Sequence, residues 1–201
     1  MSSNTRLAYL YGQPQATALL RQQNDDFIVE EQLNFSPSGA GEHILLYIEK
    51  TGQNTQYVAK QLAELTGLRA RDISYAGLKD RHAITRQWFC FKWPIKLELN
   101  WQQWPLPGCR ILQVQRHYRK LRLGALKANH FNIRLRQVSD CAAVVHRAQQ
   151  LSFGVPNYYG EQRFGHFGGN LQLLHQHPVF AQPDRTKKSQ SPGHAEHSYT
   201  G

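Results

Sequence analysis

Acidic residues are scarce in this chain: 14 Asp and Glu stand against 24 Lys and Arg, giving a formal charge of +10. An imbalance of that size argues against a cationic partner and favours an anionic one, nucleic acid foremost. Cysteine is scarce as well. Cys90, Cys109 and Cys141 are odd in number and far apart, so they form neither a metal-ligand pair nor a disulfide framework, which suits a reducing cytoplasm. No apolar run approaches membrane-spanning length, and Met1-Ser2-Ser3-Asn4 opens no signal peptide. A cytoplasmic protein without a membrane partner is therefore expected. Histidine pairs at His175/His177 and His194/His197 lie in polar or low-aliphatic sequence with no cysteine near, so no metal is expected at either.

What is present suits a folded domain. Hydrophobic residues make up 40% of the 201, enough for one good core with part of a second domain. Asp26-Phe27-Ile28-Val29-Glu30-Glu31 reads as a turn leading into a short strand, and His43 to Lys50 as a mostly buried strand. Asn54 and Thr55 can cap a helix whose apolar positions Val58, Leu62 and Leu65 keep i, i+4, i+7 spacing, with Gly67 as its stop. Ile73 and Tyr75 mark one strand, Trp88 to Trp93 another and Cys109 to Gln115 a third, while Phe131 to Arg136 alternates as a half-buried strand should. A second helix is expected from Asp140 to about Leu151. Beyond Phe180 apolar periodicity vanishes, and Gln182 to Gly201 reads as disordered.

Between two of those strands lies Gly77-Leu78-Lys79-Asp80-Arg81-His82, a loop holding one carboxylate between two cations. Such flanking favours the ionised form that a nucleophile or a charge partner needs. A solvated charged turn is equally open on this tripeptide alone. A metal-dependent nuclease is disfavoured, because no second carboxylate clusters with Asp80. From Arg110 to Arg136 there are eight Lys and Arg and not one Asp or Glu, with His117, Tyr118, His130 and Phe131 among them. With no acid to balance it, this stretch reads as a phosphate-facing surface.

Several separated segments together resemble one family. They are Asp26-Phe27-Ile28-Val29-Glu30, Gly41-Glu42-His43, Gly77-Leu78-Lys79-Asp80, Lys120-Leu121-Arg122-Leu123-Gly124, Asn129-His130-Phe131-Asn132-Ile133, and the run from Gly154 to Gly165. Their order and spacing, from about Gly12 to Leu171, closely resemble the tRNA pseudouridine synthase D (TruD) family. The resemblance implies an isomerase that converts uridine 13 of tRNA to pseudouridine without cofactor or metal. It implies an α+β fold: a mixed, mostly antiparallel sheet with flanking helices, forming an incomplete pseudouridine synthase catalytic core, plus the start of an inserted second domain. The matching nucleophile position is Asp80. Arg21 falls where relatives commonly carry Lys, as the basic partner of that Asp; Phe27, Asn129, Phe131 and Lys79 fall on the substrate side. Taken singly, Phe27 reads equally as a core residue, Asn129 as a turn former and Phe131 as a strand filler.

The domain boundaries implied are residues 1–154 for the first part of the catalytic domain, 155–180 for the start of the inserted domain and 181–201 for a disordered tail. Asp184 to Ser189 still resembles the family and Gln190 to Gly201 does not, so the sequence resembles a C-terminally truncated product. A monomer binding tRNA is expected, with a basic RNA-binding fragment lacking catalysis as the alternative.

Overall fold

The computed structural model describes residues 9–156 and divides into two compact units. The unit Tyr11–Gln149 holds all the strands found among the described residues; in the other, the described residues carry a single short 3-10 turn, Leu151–Phe153. The segments expected at 155–180 and 181–201 lie, apart from Val155 and Pro156, outside the described residues.

Eight strands and two helices follow in order: β1 (Leu19–Leu20), β2 (Phe27–Leu33), β3 (His43–Thr51), α1 (Thr55–Thr66), β4 (Ser74–Tyr75), β5 (Ile84–Lys92), β6 (Cys109–His117), β7 (Leu126–Ile133), β8 (Leu135–Arg136) and α2 (Cys141–Gln150). The main sheet runs β6-β3-β5-β2-β7, and β4 shares with β2 the second edge of β5. Among these pairings only β2–β5 is parallel. The fold is α+β with a mixed, mostly antiparallel sheet, as the sequence leads one to expect.

Helix α1 forms for local reasons. Asn54 accepts a hydrogen bond from the Tyr57 amide at 2.7 Å, and Gly67 closes the other end with a left-handed φ of 70°. The buried stripe is Val58, Ala59, Leu62 and Ala63, so two small residues, rather than Leu65, lie against the sheet. Beneath them are Ile44, Leu46 and Ile48 of β3 and Phe89 and Phe91 of β5. The opposite face of the sheet is covered too, with Leu45, Trp88 and Cys90 packing on Ala76 and Leu121.

That α1 face changes character along its length. Ile44, Leu46 and Ile48 continue to Lys50, and the residues in register with them on β5, Phe91, Phe89 and Gln87, continue to Thr85. The face is apolar at one end and polar at the other, yet Lys50, Thr85 and Gln87 are all 1% exposed or less. Buried polar groups need partners; Lys50 and Gln87 find theirs partly on the loop after β4, whereas Thr85 Oγ1 has none among the described residues.

Two strands differ from their expected spans. β5 begins at Ile84, not Trp88, because Thr85 and Gln87 pair with β3 despite their polarity. β7 begins at Leu126 and ends at Ile133, with the Arg134 amide still donating to the Asp26 carbonyl at 2.8 Å in the same register; the chain then resumes as β8 against β1. Gly41, in the turn before β3, permits a close approach of two backbones. A Cβ there would meet the His117 carbonyl oxygen at 2.4 Å, and its φ of 119° suits glycine.

Candidate active site

Asp80 lies in the loop Ala76–Ala83 that joins β4 to β5, the position expected for a scaffold-held reactive group. Its carboxylate is about one-third exposed, with side-chain accessibility of 32%, and meets the Arg21 guanidinium at 3.4 Å. Arg21 follows β1 and adopts a left-handed φ of 57°, which is uncommon for a residue with a side chain. Its guanidinium lies over the Phe27 ring, 3.8 Å from the centroid, and Phe27 meets Phe131 edge to face at 5.9 Å. A carboxylate, a guanidinium and two rings therefore form one continuous ledge. An ion pair this exposed contributes at most about 1 kcal/mol to stability. The arrangement is better suited to chemistry than to holding the fold.

Sheet register explains why these residues meet. Phe27, Val29 and Glu31 of β2 stand opposite Ile133, Phe131 and Asn129 of β7, on one face. Val29 is also in register with Thr85, so this is the face that carries α1. Phe27 is buried, whereas Phe131 is 57% exposed and free to take a flat ligand. Asn129 presents a buried Oδ1 with no hydrogen-bond partner. An orphaned acceptor of that kind destabilises a fold by about 1–3 kcal/mol and is satisfied by an incoming N–H. Asp26, fully buried, anchors the start of β2: it accepts two hydrogen bonds from Arg136 Nε, at 2.9 and 2.8 Å, and one from the Gln23 amide. Arg136 holds the Asp26 carboxyl below the usual carboxylate range.

The loop itself is pinned from below. Thr55 Oγ1 accepts from the Lys79 amide at 3.0 Å and donates to Gln87, and Gln87 Nε2 donates to the Gly77 carbonyl at 3.1 Å. Lys50 Nζ donates to the Asp80 carbonyl at 2.7 Å and the Gln53 carbonyl at 2.6 Å. Lys79 departs from its expected place on the substrate side. Its ammonium points under the loop to Glu31 Oε2 at 2.5 Å, the two side chains being 5% and 0% exposed. Glu31 Oε1 also accepts from the Trp88 amide, capping β5 where its pairing with β2 has ended. Lys50, Thr55, Gln87 and Glu31 escape a reading of the sequence alone. The signal for two of them is present in period two: Ile44-x-Leu46-x-Ile48-x-Lys50 and Thr85-x-Gln87-x-Phe89-x-Phe91 each place polar residues on an apolar face.

The basic stretch is only partly free. Arg110 pairs with Glu49, Arg134 with Asp25 and Asp26, and Arg136 with Asp26. Arg116, read from the sequence as phosphate-facing, donates instead to the carbonyls of Gly41, Trp93, Pro94 and Leu97. Arg119, Lys120, Arg122 and Lys127 have no ion-pair partner among the described residues. The first three sit on the β6–β7 loop, which is tied down by buried Leu121 and by the Gly124 amide on the Ala76 carbonyl, at the root of the Asp80 loop.

This geometry agrees with sequence comparison. The sequence profile of the tRNA pseudouridine synthase D (TruD) family matches residues 5–177, most of the chain. The chain belongs to that family. A tRNA pseudouridine synthase D of Pectobacterium atrosepticum is 50% identical over 173 residues, covering 86% of this chain and 50% of that protein. Another, of Proteus mirabilis, is 48% identical and is covered to 49% of its length. The chain thus spans about half the length of the curated relatives it matches. A crystal structure of a TruD-type protein from Methanosarcina mazei superposes with a TM-score of 0.65 at 26% identity, covering 74% of this chain and 35% of that one. Membership of the TruD family accounts for the order of the motifs; the roles of individual residues rest on the geometry above.

Proposed function

We propose that this chain forms the nucleophile-bearing part of a cytoplasmic tRNA pseudouridine synthase acting on uridine 13, with Asp80 as nucleophile. The observation that carries this reading is the ledge of Asp80, Arg21, Phe27 and Phe131, in which Arg21 and Phe131 are exposed, Asp80 is partly exposed and Phe27 backs them from the core. Isomerisation breaks the bond between ribose C1′ and uracil N1 and makes one between C1′ and C5. C5 loses a proton and N1 gains one, so no redox partner is required. Asp80 can hold one fragment covalently, through ribose C1′ or the base, while the other turns. Arg21 pairs with the carboxylate and, being planar, stacks on Phe27 at the same time, which a lysine ammonium does not do in the same geometry. A uridine drawn out of folded RNA can stack on exposed Phe131, with Asn129 on the same sheet face. Lys79 acts from below by holding the loop.

Release of tritium from tRNA carrying 5-tritiated uridine tests the reading, because formation of the C5–C1′ bond expels that hydrogen. Turnover should vanish in Asp80→Asn while tRNA binding stays within about threefold. Turnover retained in that variant would remove Asp80 from the role. Binding without tritium release by the unaltered chain would instead mark it as an RNA-binding portion of such an enzyme.

A further inference from the structure

Lys50 is the most unusual group near the site. It is 1% exposed and makes no ion pair among the described residues, yet its ammonium is enclosed by three carbonyl oxygens: Gln53 at 2.6 Å, Asp80 at 2.7 Å and Lys79 at 3.5 Å. Its neighbours in register on the flanking strands are Thr85 and Cys109, neither of them a carboxylate. Burial of a charge without a counter-ion is unfavourable, and a well-packed apolar side chain at the end of β3 is commonly neutral or better for stability. What an apolar side chain cannot do is join two loops. The Gln53 carbonyl belongs to the turn between β3 and α1, and the Asp80 carbonyl belongs to the loop that carries the nucleophile.

We propose that Lys50 is a positioning residue for Asp80: its buried ammonium clamps the Asp80 carbonyl to the β3–α1 turn and so aims the carboxylate at Arg21. This rests on the reading of Asp80 as nucleophile. An ammonium carries three donors in tetrahedral array, which matches three carbonyls converging from two loops. The Asp80 side chain makes one ion pair with another described side chain, the partly exposed Arg21, which leaves its backbone as the firmer constraint on its direction. A displacement of about 1 Å at a reacting group lowers turnover by as much as a hundredfold. The charge on the clamp is also weakly held. Burial pushes the Lys50 pKa down to about 8, while the charged or titratable groups facing it are Asp80 and Lys79 on the loop and Cys109 on β6.

Lys50→Met in the full chain tests the clamp, since methionine fills the volume without donors. Amide exchange over residues 78–83 should accelerate about tenfold relative to Val114→Ala, a change at a partly buried β6 residue outside the loop. Turnover should fall by about a hundredfold with tRNA affinity within about threefold, a split that general destabilisation does not produce. Unchanged exchange at 78–83, or equal losses of turnover and affinity, would overturn the proposal. If unaltered protein shows no tritium release, the catalytic reading of this chain is what fails, and the exchange measurement still decides the clamp. Should the variant not fold, the unaltered chain serves. Exchange at 78–83, corrected for intrinsic base catalysis, should rise as the pH passes about 8 while β3 and β5 stay protected. A flat profile there would overturn the clamp as well.

Discussion

Removing one partner of the Lys79–Glu31 pair should be among the most destabilising single changes in this protein. The two side chains are 5% and 0% exposed and meet at 2.5 Å, so neither charge can recover water when the other is removed. Breaking a buried pair on one side destabilises by about 3–5 kcal/mol, because the remaining ion stays desolvated. Lys79→Met should fall in that range. Glu31→Met should be worse by about 1–3 kcal/mol, since it also orphans the Trp88 amide that donates to Glu31 Oε1. The double variant, with two apolar side chains facing each other, should recover most of the stability and leave chiefly the Trp88 amide unpaired. The coupling in the cycle should then reach at least about 6 kcal/mol, far above the few tenths expected of independent sites. Urea unfolding read by tryptophan fluorescence measures it: with m near about 2 kcal/mol/M, a destabilisation of about 3 kcal/mol moves the midpoint by about 1.5 M. Single variants that each destabilise by under about 1 kcal/mol and add in the double would show that the pair is solvated, and the account of Lys79 as an internal anchor would fall.

Three further outcomes are expected. Lys50, with a folded pKa of about 8 against 10.5 unfolded, binds its proton more weakly when folded, so its contribution to stability rises with pH between those values, by at most about 3 kcal/mol before solvent screening. Cys109, whose thiol burial pushes from 9.0 up to about 11, acts in the opposite sense over that window; unfolding free energy should be nearly flat above pH 9 in the native protein and climb in Cys109→Ala, and identical profiles would refute the pairing of opposed shifts. Neutralising Arg119, Lys120 and Arg122 should weaken tRNA binding and lower the log–log salt slope by about 0.7–0.9 for each phosphate that is no longer neutralised, whereas Arg116→Gln should change stability and leave the slope alone. Gly41→Ala should destabilise by more than about 2 kcal/mol in thermal or urea unfolding, since its Cβ would overlap the His117 carbonyl and the backbone there cannot yield; a change under about 0.5 kcal/mol would contradict that geometry.

Much was legible from local pattern alone. The Asn54 cap and Gly67 stop of α1, the Asp140 cap of α2 and the strand-flanked loop around Asp80 all rest on interactions within a few residues, and each is found where the spacing puts it. The fold class followed from the family resemblance rather than from those short-range signals. The motif spacing pointed to Arg21, Phe27, Phe131 and Asn129 as a group, and the β2–β7 register brings Phe27, Phe131 and Asn129 onto one face. The basic run was legible as composition but not as surface. Its lack of acid neighbours in sequence said nothing about Glu49, 61 residues from Arg110, or Asp26, 110 residues from Arg136.

The sequence by itself determined where helices begin and end, which strands alternate, and which loop carries the lone carboxylate, because those features depend on spacings of two to four residues. Only the tertiary structure decided what each charge meets. Lys79 is flanked by the same kind of polar loop as Arg81, yet one turns under the sheet to a glutamate 48 residues away and the other stays exposed with its Nε on the Gly52 carbonyl. Lys50 looks like the polar end of a strand and is instead sealed beneath the Asp80 backbone. The reason is that burial belongs to a position in the packed sheet rather than to a residue type. The register of β2, β3 and β5 fixes which polar side chains lose water, and a group that has lost water takes whatever partner the fold brings within reach.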